Sequence, residues 1–328
     1  MAVSVGVVFP EAVEPGVSLP DVASIARIAE QAGIDCIWAE DRLAAGEMSV
    51  PDCALTLAAA AAVTEHIRIG SAVYVPARRP LVWAAKEVAS LQHISGGRLE
   101  LGVGLGGGDE HEYEVAGFRR ADRVERTEAF LRLLPDLLSG QPTKMPDLVG
   151  TPEVRLLPPA PLPPLWIGGT SPAALRRAAT FGSGWLSGFQ TAREFAASAA
   201  LLAELTAAAG RPSLRLGVML HASLSTSTST STSTGTGTGR APADPTVGLL
   251  QRAYGMPPDR ARQLAVGGSP EQVACQLAPF VEAGAEVFGL VCDPVPTLQS
   301  IELLAELARR LRHPSPGRVP ERPRNQGE

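Results

Sequence analysis

Short apolar runs recur along the chain, and segments with helical periodicity lie between them. Apolar and β-branched runs of this length, bounded by glycine or charged residues, predict buried strands. The predicted strands cover 3–9, 34–39, 67–73, 99–103, 165–171, 184–188, 214–220 and 286–291. Apolar residues three and four positions apart predict helices at 20–32, 51–65, 81–94, 121–138, 172–180, 192–209, from 269 onward, and 297–311.

The order of these elements predicts the fold class. Eight strands that alternate with helices imply right-handed crossovers and a parallel sheet. Eight such units in 328 residues favour an α/β fold of the (β/α)8 TIM-barrel type. An open doubly wound sheet is the alternative. Its dinucleotide motif would follow the first strand, but residues 6–16 contain no GxGxxG.

Some segments fall outside the alternation. Residues 139–164 are proline-rich, with one predicted strand at 154–157. Residues 223–240 alternate Ser with Thr and then Gly with Thr, which predicts a flexible insertion after the seventh strand because no apolar face is available to pack. Residues 313–328 predict a disordered tail. We therefore expect one barrel domain over residues 1–312, interrupted by the insertion.

Composition narrows the function classes. Apolar residues make up 45% of the chain and the formal charge is −5, which indicates a globular protein and argues against nucleic-acid binding. The longest apolar run, 54–63, is too short to span a membrane, and no signal peptide is apparent, so we expect a cytoplasmic protein. Cys36, Cys53, Cys275 and Cys292 have no metal-type spacing and predict buried, reduced thiols.

In a barrel of this kind the active site lies at the carboxyl ends of the strands. The residues at those ends are therefore expected to meet at one rim, although they lie far apart in the sequence. They are Glu40, Asp41, Arg42, Ser71, residues 104–112, residues 168–171, Gly188 and His221.

Two small-residue turns are candidate ligand sites. Glycines at 102, 104, 106, 107 and 108 end the fourth strand, which predicts either a close approach to a ligand or a mobile hairpin tip. Gly168, Gly169, Thr170 and Ser171 precede a helix, so their N–H groups and hydroxyls suit a phosphate. The simpler interpretation of this turn is a helix N-cap, and both can hold. Arg126 is a further phosphate contact or a solvated helix residue.

His111 and His221 are the histidines placed at strand ends, where histidine suits proton transfer near neutral pH. The alternative for His111 is a plain surface residue. Asp41 is a third candidate for handling protons. The sequence contains no Ser/His/Asp pattern, and Glu110-His111-Glu112 is too compact to ligate one metal ion, so we predict no metal site.

Seven blocks in order resemble the bacterial-luciferase-like flavin oxidoreductase superfamily, which uses FMN or coenzyme F420. They are Ile67–Val73, Gly96–Gly104, Glu112–Gly117, Asp122–Glu128, Pro164–Gly169, Gly182–Trp185 and Gly268–Val273. The resemblance implies a barrel whose mouth holds the cofactor ring, with a bulge or non-prolyl cis peptide at Ser71, Ala72 and Val73. It also implies cofactor contacts from Gly104, Gly106 and Glu112, and a phosphate site at Gly168, Gly169, Thr170 and Ser171 with Arg126 nearby.

The chain departs from this pattern at the second strand, which ends in Asp41-Arg42 where many F420-dependent members have Asp-His. The resemblance implies an oxidoreductase or monooxygenase acting on a small organic substrate, either with FMNH2 and O2 or by hydride transfer from F420H2. The alternative is a non-catalytic barrel that binds a small molecule or a partner. We expect neither nucleic acid nor membrane as a partner, and the resemblance makes a homodimer plausible.

Overall fold

The apolar runs form a parallel barrel in a computed structural model, which describes residues 3–9, 19, 21–43, 51–107, 110–145, 153–226, 244–292 and 297–313. The described residues form nine strands. They are β1 (Ser4–Val8), β2 (Cys36–Ala39), β3 (Arg68–Ser71), β4 (Leu99–Val103), β5 (Leu165–Gly168), β6 (Gly184–Gly188), β7 (Arg215–Leu224), β8 (Val266–Gly268) and β9 (Val287–Cys292).

Helices connect the strands and cover the outside of the barrel. They are α1 (Val22–Gln31), α2 (Cys53–Ala62), α3 (Leu81–Ser95), α4 (Glu110–Val115), α5 (Arg123–Leu138), α6 (Pro172–Phe181), α7 (Ala192–Ala208), α8 (Asp244–Tyr254), α9 (Pro258–Leu264), α10 (Pro270–Glu282) and α11 (Leu298–Arg312). Two 3₁₀ turns lie at Pro76–Arg78 and Arg120–Asp122. Ser269 caps α10 as expected, because its side chain accepts the N–H of Gln272.

The predicted (β/α)8 barrel is confirmed. Strands β1 to β7 and β9 pair in parallel around a closed ring, in which β9 joins β7 to β1 and the pairing of β6 with β7 completes the circle. Strand β8 stands outside the ring, and within the described part of the chain it pairs only with the end of β7, from Ala222 to Leu224. All of these pairings are parallel, so the carboxyl ends of the barrel strands meet at one rim.

Side chains fill the lower part of the barrel interior. The rings of Trp38 and Trp166 meet edge to face with centroids 6.4 Å apart. The buried Glu100 carboxylate accepts a hydrogen bond of 2.6 Å from Nε1 of Trp166 and pairs with Arg68 at 3.0 Å. Among the described residues, this packing leaves no room for a ligand at the lower end of the barrel. A second, larger apolar layer lies between the strands and the helices.

Several expectations need correction. The predicted strand at 154–157 is a single bridge between Val154 and Thr143, because the surrounding prolines cannot donate to a ladder. Strand β7 runs to Leu224, so the first residues of the predicted insertion belong to the sheet, while most of the insertion and of the tail lies outside the described residues. Cys275 is exposed on α10, whereas the other three cysteines are buried.

Glu30 ties α1 to the beginning of β3. Its Oε1 accepts the backbone N–H groups of Glu65, His66 and Ile67 at 2.9, 2.7 and 2.9 Å. Burial opposes ionisation, but these three donors lower the pKa of Glu30 below its ordinary 4.5. A group with a depressed folded-state pKa stabilises the fold above its unfolded pKa, and this contribution is lost as the pH falls through the folded value.

We expect Glu30→Ala to lower the free energy of unfolding by about 1–3 kcal/mol at pH 7, because three backbone donors lose a charged acceptor. The difference from wild type should shrink as the pH falls below 4.5. Urea denaturation across this range measures both. Glu65→Ala removes an exposed carboxylate and is the control. Equal destabilisation by both variants would contradict the role of Glu30.

Candidate functional site

Two adjoining cavities open at the rim where the carboxyl ends of the strands meet. We call them the glycine compartment, of about 390 Å³, and the acidic–arginine compartment, of about 420 Å³. Each has the size of an ordinary small-molecule site. Their shared boundary comprises Glu40, Ala72, Val73, Gly106, Gly107 and Phe189. A ligand that crosses this boundary would contact both compartments.

The glycine compartment has a floor built on Val73. A Cβ atom on Gly104 would lie 2.3 Å from Cγ2 of Val73, and a Cβ atom on Gly168 would lie 2.8 Å from its Cγ1. Both distances are too short for real side chains, so β4 and β5 can end beside Val73 only because these positions are glycine. The floor of this compartment therefore consists of the backbone at Gly104 and Gly168 and the side chain of Val73.

The segment after β3 continues to pair with β4. The peptide bond between Ala72 and Val73 is cis, as the family resemblance implied. Tyr74 then donates its N–H to the carbonyl of Gly102 at 2.8 Å and accepts the N–H of Gly104 at 2.9 Å. The hydroxyl of Ser71 donates to the same Gly102 carbonyl at 2.8 Å, beneath the floor.

The turn from Gly169 to Ser171 forms one wall of the glycine compartment. Ser171 caps α6, and its Oγ accepts the N–H of Ala174 at 3.2 Å, so the simpler interpretation of this turn holds. The indole of Trp185 donates to the carbonyl of Gly169 at 2.7 Å and fixes the turn. Thr170 and Ser171 remain exposed, which leaves their hydroxyls accessible at the positive end of the helix dipole.

Buried ion pairs form the wall of the acidic–arginine compartment. The Asp41 carboxylate is 5% exposed and accepts two hydrogen bonds from Arg79, at 2.7 and 2.8 Å, and one from the N–H of Val75 at 2.7 Å. Glu112 is 2% exposed and accepts hydrogen bonds from Arg78 and from Nε of Arg42. These contacts join β2, the segment after β3, and α4.

The ion pair with Asp41 also holds Arg79 in its charged form. Burial lowers the pKa of the Arg79 guanidinium, but its hydrogen bonds to Asp41 raise that pKa well above the ordinary value. Arg78 donates to the backbone carbonyl of Asp41 as well as to Glu112. Loss of one partner would leave a buried charge uncompensated, which is costly in a protein interior. The network therefore orients this wall of the compartment.

The two predicted histidines lie in different surroundings. His221, near the end of β7, is buried and lines the glycine compartment, with Nε2 3.2 Å from the hydroxyl of Tyr254. The side chain of His111 is 66% exposed on α4 and lies 3.9 Å from Glu114. Residues 110–115 form a helix, so adjacent side chains point about 100° apart, which turns Glu112 inward and His111 outward.

Three of the predicted site residues are missing from the described lining of both compartments. They are Ser71, His111 and Arg126. The guanidinium of Arg126 donates to the carbonyls of Ala77 and Arg79, at 3.0 and 2.8 Å, and covers the ring of Phe118. Arg126 therefore supports the turn that carries Arg78 and Arg79, and its phosphate contact stays a prediction from the sequence.

Sequence reasoning missed two aromatic residues at the site, Phe189 and Tyr254. Phe189 directly follows Gly188, which was placed at the rim, so proximity to a strand end was an available signal. Tyr254 ends α8, a helix that the pattern did not predict, and it reaches the acidic–arginine compartment through tertiary packing. Phe189, His221 and Tyr254 are mutually in ring contact.

Within the described part of the chain, no three His, Cys, Asp or Glu side chains are grouped as a metal site would require. No helix in the described ranges is both long enough and apolar enough to cross a bilayer.

The chain matches the family of luciferase-like monooxygenases over residues 2–232. It is 26% identical over 205 residues to a 5,10-methylenetetrahydromethanopterin reductase of Methanolobus tindarius, and the match covers 62% of this chain and 61% of the relative. It is 32% identical over 183 residues to a 4-hydroxyprotoasukamycin monooxygenase of Streptomyces nodosus subsp. asukaensis, over 53% of this chain and 48% of the relative. These matches span roughly half to three fifths of the relatives' lengths.

Solved structures share the fold. An F420-dependent secondary alcohol dehydrogenase in complex with an F420–acetone adduct is similar with a TM-score of 0.78 and 17% identity, over 95% of this chain and 99% of that one. The oxygenating constituent of 3,6-diketocamphane monooxygenase from Pseudomonas putida, in complex with FMN, has a TM-score of 0.71 and 18% identity, over 95% and 99%. With the family match over most of its length and this barrel, the chain belongs to the luciferase-like monooxygenase family.

Proposed function

We propose that this protein is an oxidoreductase that uses a reduced flavin-type cofactor, FMNH2 or F420H2, on a small organic substrate. The observation that carries the proposal is the pair of compartments at the rim, one lined by glycine and hydroxyl groups and the other by ion pairs and aromatic rings. Relatives and structural neighbours whose names include F420 or monooxygenase activity support the same class.

The residues of the glycine compartment suit such a cofactor. A flavin-type ring is flat, and Ala72, Val73, Leu186 and Met219 offer it apolar contacts beside the bare backbone at Gly104. Thr170 and Ser171, at the start of α6, would hold the phosphate. Because Gly104 and Gly168 carry no side chain, the cofactor ring could approach their backbone closely.

The bound cofactor would supply either hydride transfer or oxygen activation, and the protein would position the ring and exclude water. His221 is the residue we assign to proton transfer at Nε2, because it is buried at the cavity and contacts the Tyr254 hydroxyl. Asp41 accepts three hydrogen bonds, including two from Arg79, so we assign it to orienting the second compartment instead. A homodimer and a cytoplasmic location stay predictions from the sequence.

We expect the purified protein to quench the fluorescence of FMN or of F420 with a micromolar dissociation constant. Gly104→Ala should weaken this binding about tenfold, because the new methyl group displaces Val73 from the floor. Gly107→Ala is the matched control, since a Cβ there has nothing within 4 Å although Gly107 lines the same compartment. If wild type binds neither cofactor, the proposed function is wrong.

Two assays distinguish the cofactors. Hydride transfer predicts loss of F420H2 absorbance under nitrogen when a substrate is added, since oxygen takes no part. Monooxygenation predicts oxygen consumption that requires both FMNH2 and substrate, above the rate of free FMNH2 oxidation. Cofactor binding with no substrate-dependent signal in either assay, across alcohols, ketones and phenols, would favour the non-catalytic alternative.

We expect His221→Gln to lower kcat about 10²-fold in whichever assay gives turnover, because the proton donor or acceptor at the cavity is lost. Cofactor affinity should change less than twofold. His111→Gln is the control on an exposed histidine and should leave kcat unchanged. A large loss in His111→Gln with little loss in His221→Gln would reverse our assignment.

A further inference from the structure

Phe189 has a backbone conformation that is rare for its side chain. Its φ is 55°, and it is the non-glycine residue with a positive φ among those the structure describes. The left-handed region is unfavourable for bulky side chains, and such residues concentrate at functional sites. Phe189 is also 41% exposed and lies on the boundary of both compartments. The contacts around Phe189 should therefore explain why an exposed aromatic residue keeps a left-handed backbone conformation.

Contacts from α9 hold Phe189 in place. Nη2 of Arg260 donates to the carbonyl of Phe189 at 2.8 Å, and the same guanidinium pairs with both carboxylate oxygens of Glu194, at 2.9 and 2.8 Å. Glu194 is itself fixed by a capping box with Thr191 at the start of α7. The hydrogen bonds from Arg260 and Thr191 lower the pKa of Glu194 to about 2, so the pair stays ionised at neutral pH.

This conformation brings three rings together as one aromatic wall, which we define as Phe189, His221 and Tyr254. The Phe189 and His221 rings are nearly parallel, at 19° with centroids 5.8 Å apart. The Tyr254 ring meets Phe189 at 64° and 4.8 Å, and meets His221 at 77° and 5.3 Å. The wall joins the ends of β6, β7 and α8, and Phe189 and Tyr254 line the acidic–arginine compartment.

The rest of that compartment constrains what can bind against the wall. Ala72, Val73 and Val75 form an apolar side. The carboxylates of Asp41 and Glu112 pair with three arginines, Arg79, Arg78 and Arg42. The Glu40 carboxylate at the boundary balances the third positive charge, so the charged groups of the described wall sum to zero. Flat apolar surface beside oriented polar groups is complementary to an uncharged planar ring that carries a hydrogen-bonding oxygen.

We propose that the acidic–arginine compartment is the substrate compartment for an uncharged aromatic or quinone-like ring, with Phe189 as a specificity-determining residue and Arg260 as the residue that positions it. The assignment of this ligand as a substrate rests on the proposed function. The binding preference itself rests on the cavity alone, so it can be tested without any cofactor.

The test uses 2-naphthol, which is planar and uncharged at neutral pH, and its saturated counterpart decahydro-2-naphthol. Calorimetric titration of the full chain should show tighter binding of 2-naphthol. Phe189→Ala and Phe189→Leu should each weaken 2-naphthol binding about tenfold and change decahydro-2-naphthol binding less than twofold. Trp83→Ala, at an exposed aromatic side chain on α3, is the control and should change neither.

Arg260→Gln tests the positioning role. It should reduce the ratio of the 2-naphthol affinity to the decahydro-2-naphthol affinity about fivefold. The Phe189 carbonyl loses its hydrogen-bond donor, so the Phe189 ring is held less firmly against His221 and Tyr254. Arg262→Gln removes a neighbouring exposed arginine on α9 and should leave the preference intact. A merely structural role for Arg260 would lower the melting temperature without changing the ratio of the two affinities.

Equal affinity of wild type for the two alcohols, or a preference that survives in both Phe189 variants, would overturn the proposal. These results are independent of the proposed function, which fails if neither cofactor binds. An aromatic preference without cofactor binding would retain the compartment as a binding site and remove its role in catalysis.

Discussion

The close approach of Val73 to Gly104 and Gly168 is the constraint on which the site depends. Three strand ends converge on one isopropyl group, and no side chain could stand at either glycine without moving it. The lower barrel is already filled by Trp38, Trp166 and the buried Glu100. The two compartments lie above this floor, at the end of the barrel where the catalytic chemistry of such folds is placed.

The second compartment is shaped by electrostatics. Ion pairs as buried as those of Asp41 and Glu112 contribute little net stability, since desolvation offsets most of the attraction. What they provide is orientation, because Arg79 holds both carboxylate oxygens of Asp41. Arg78 and Arg42 each hold one oxygen of Glu112. Arg42 takes part in this network through Glu112, at the position where the sequence departs from the Asp-His of many F420-dependent members. In this chain Arg42 thus binds Glu112, while Asp41 is held by Arg79 and the N–H of Val75.

The sequence predicts the barrel well because its strands are short apolar runs separated by helices, and the closed topology follows from that alternation. Gly104, Gly168 and His221 lie near the carboxyl ends of parallel strands, which meet at one rim of a barrel. Their convergence on one cavity could therefore be predicted without knowing any side-chain contact. The sequence pattern did not predict the short helix at Glu110–Val115. This helix turns Glu112 inward and His111 outward, whereas the sequence alone placed both at the rim.

Other features could not be predicted because they arise from tertiary contacts. Phe189 has a left-handed conformation, and its carbonyl accepts a hydrogen bond from Arg260, 71 residues further along the chain. The hydrogen bonds from Arg126 to the carbonyls of Ala77 and Arg79 join segments 47 and 49 residues apart, so its position on a helix did not predict them. Strand β8 is three residues long and forms only because β7 extends past the barrel rim.

A crystal structure of the protein with FMN or F420 bound tests the central claim most directly. The account predicts the ring against Ala72 and Val73, the phosphate within hydrogen-bonding distance of Thr170 or Ser171, and an open space beside Phe189. A ring bound away from Val73, or a phosphate held after β7 or β9, would contradict it.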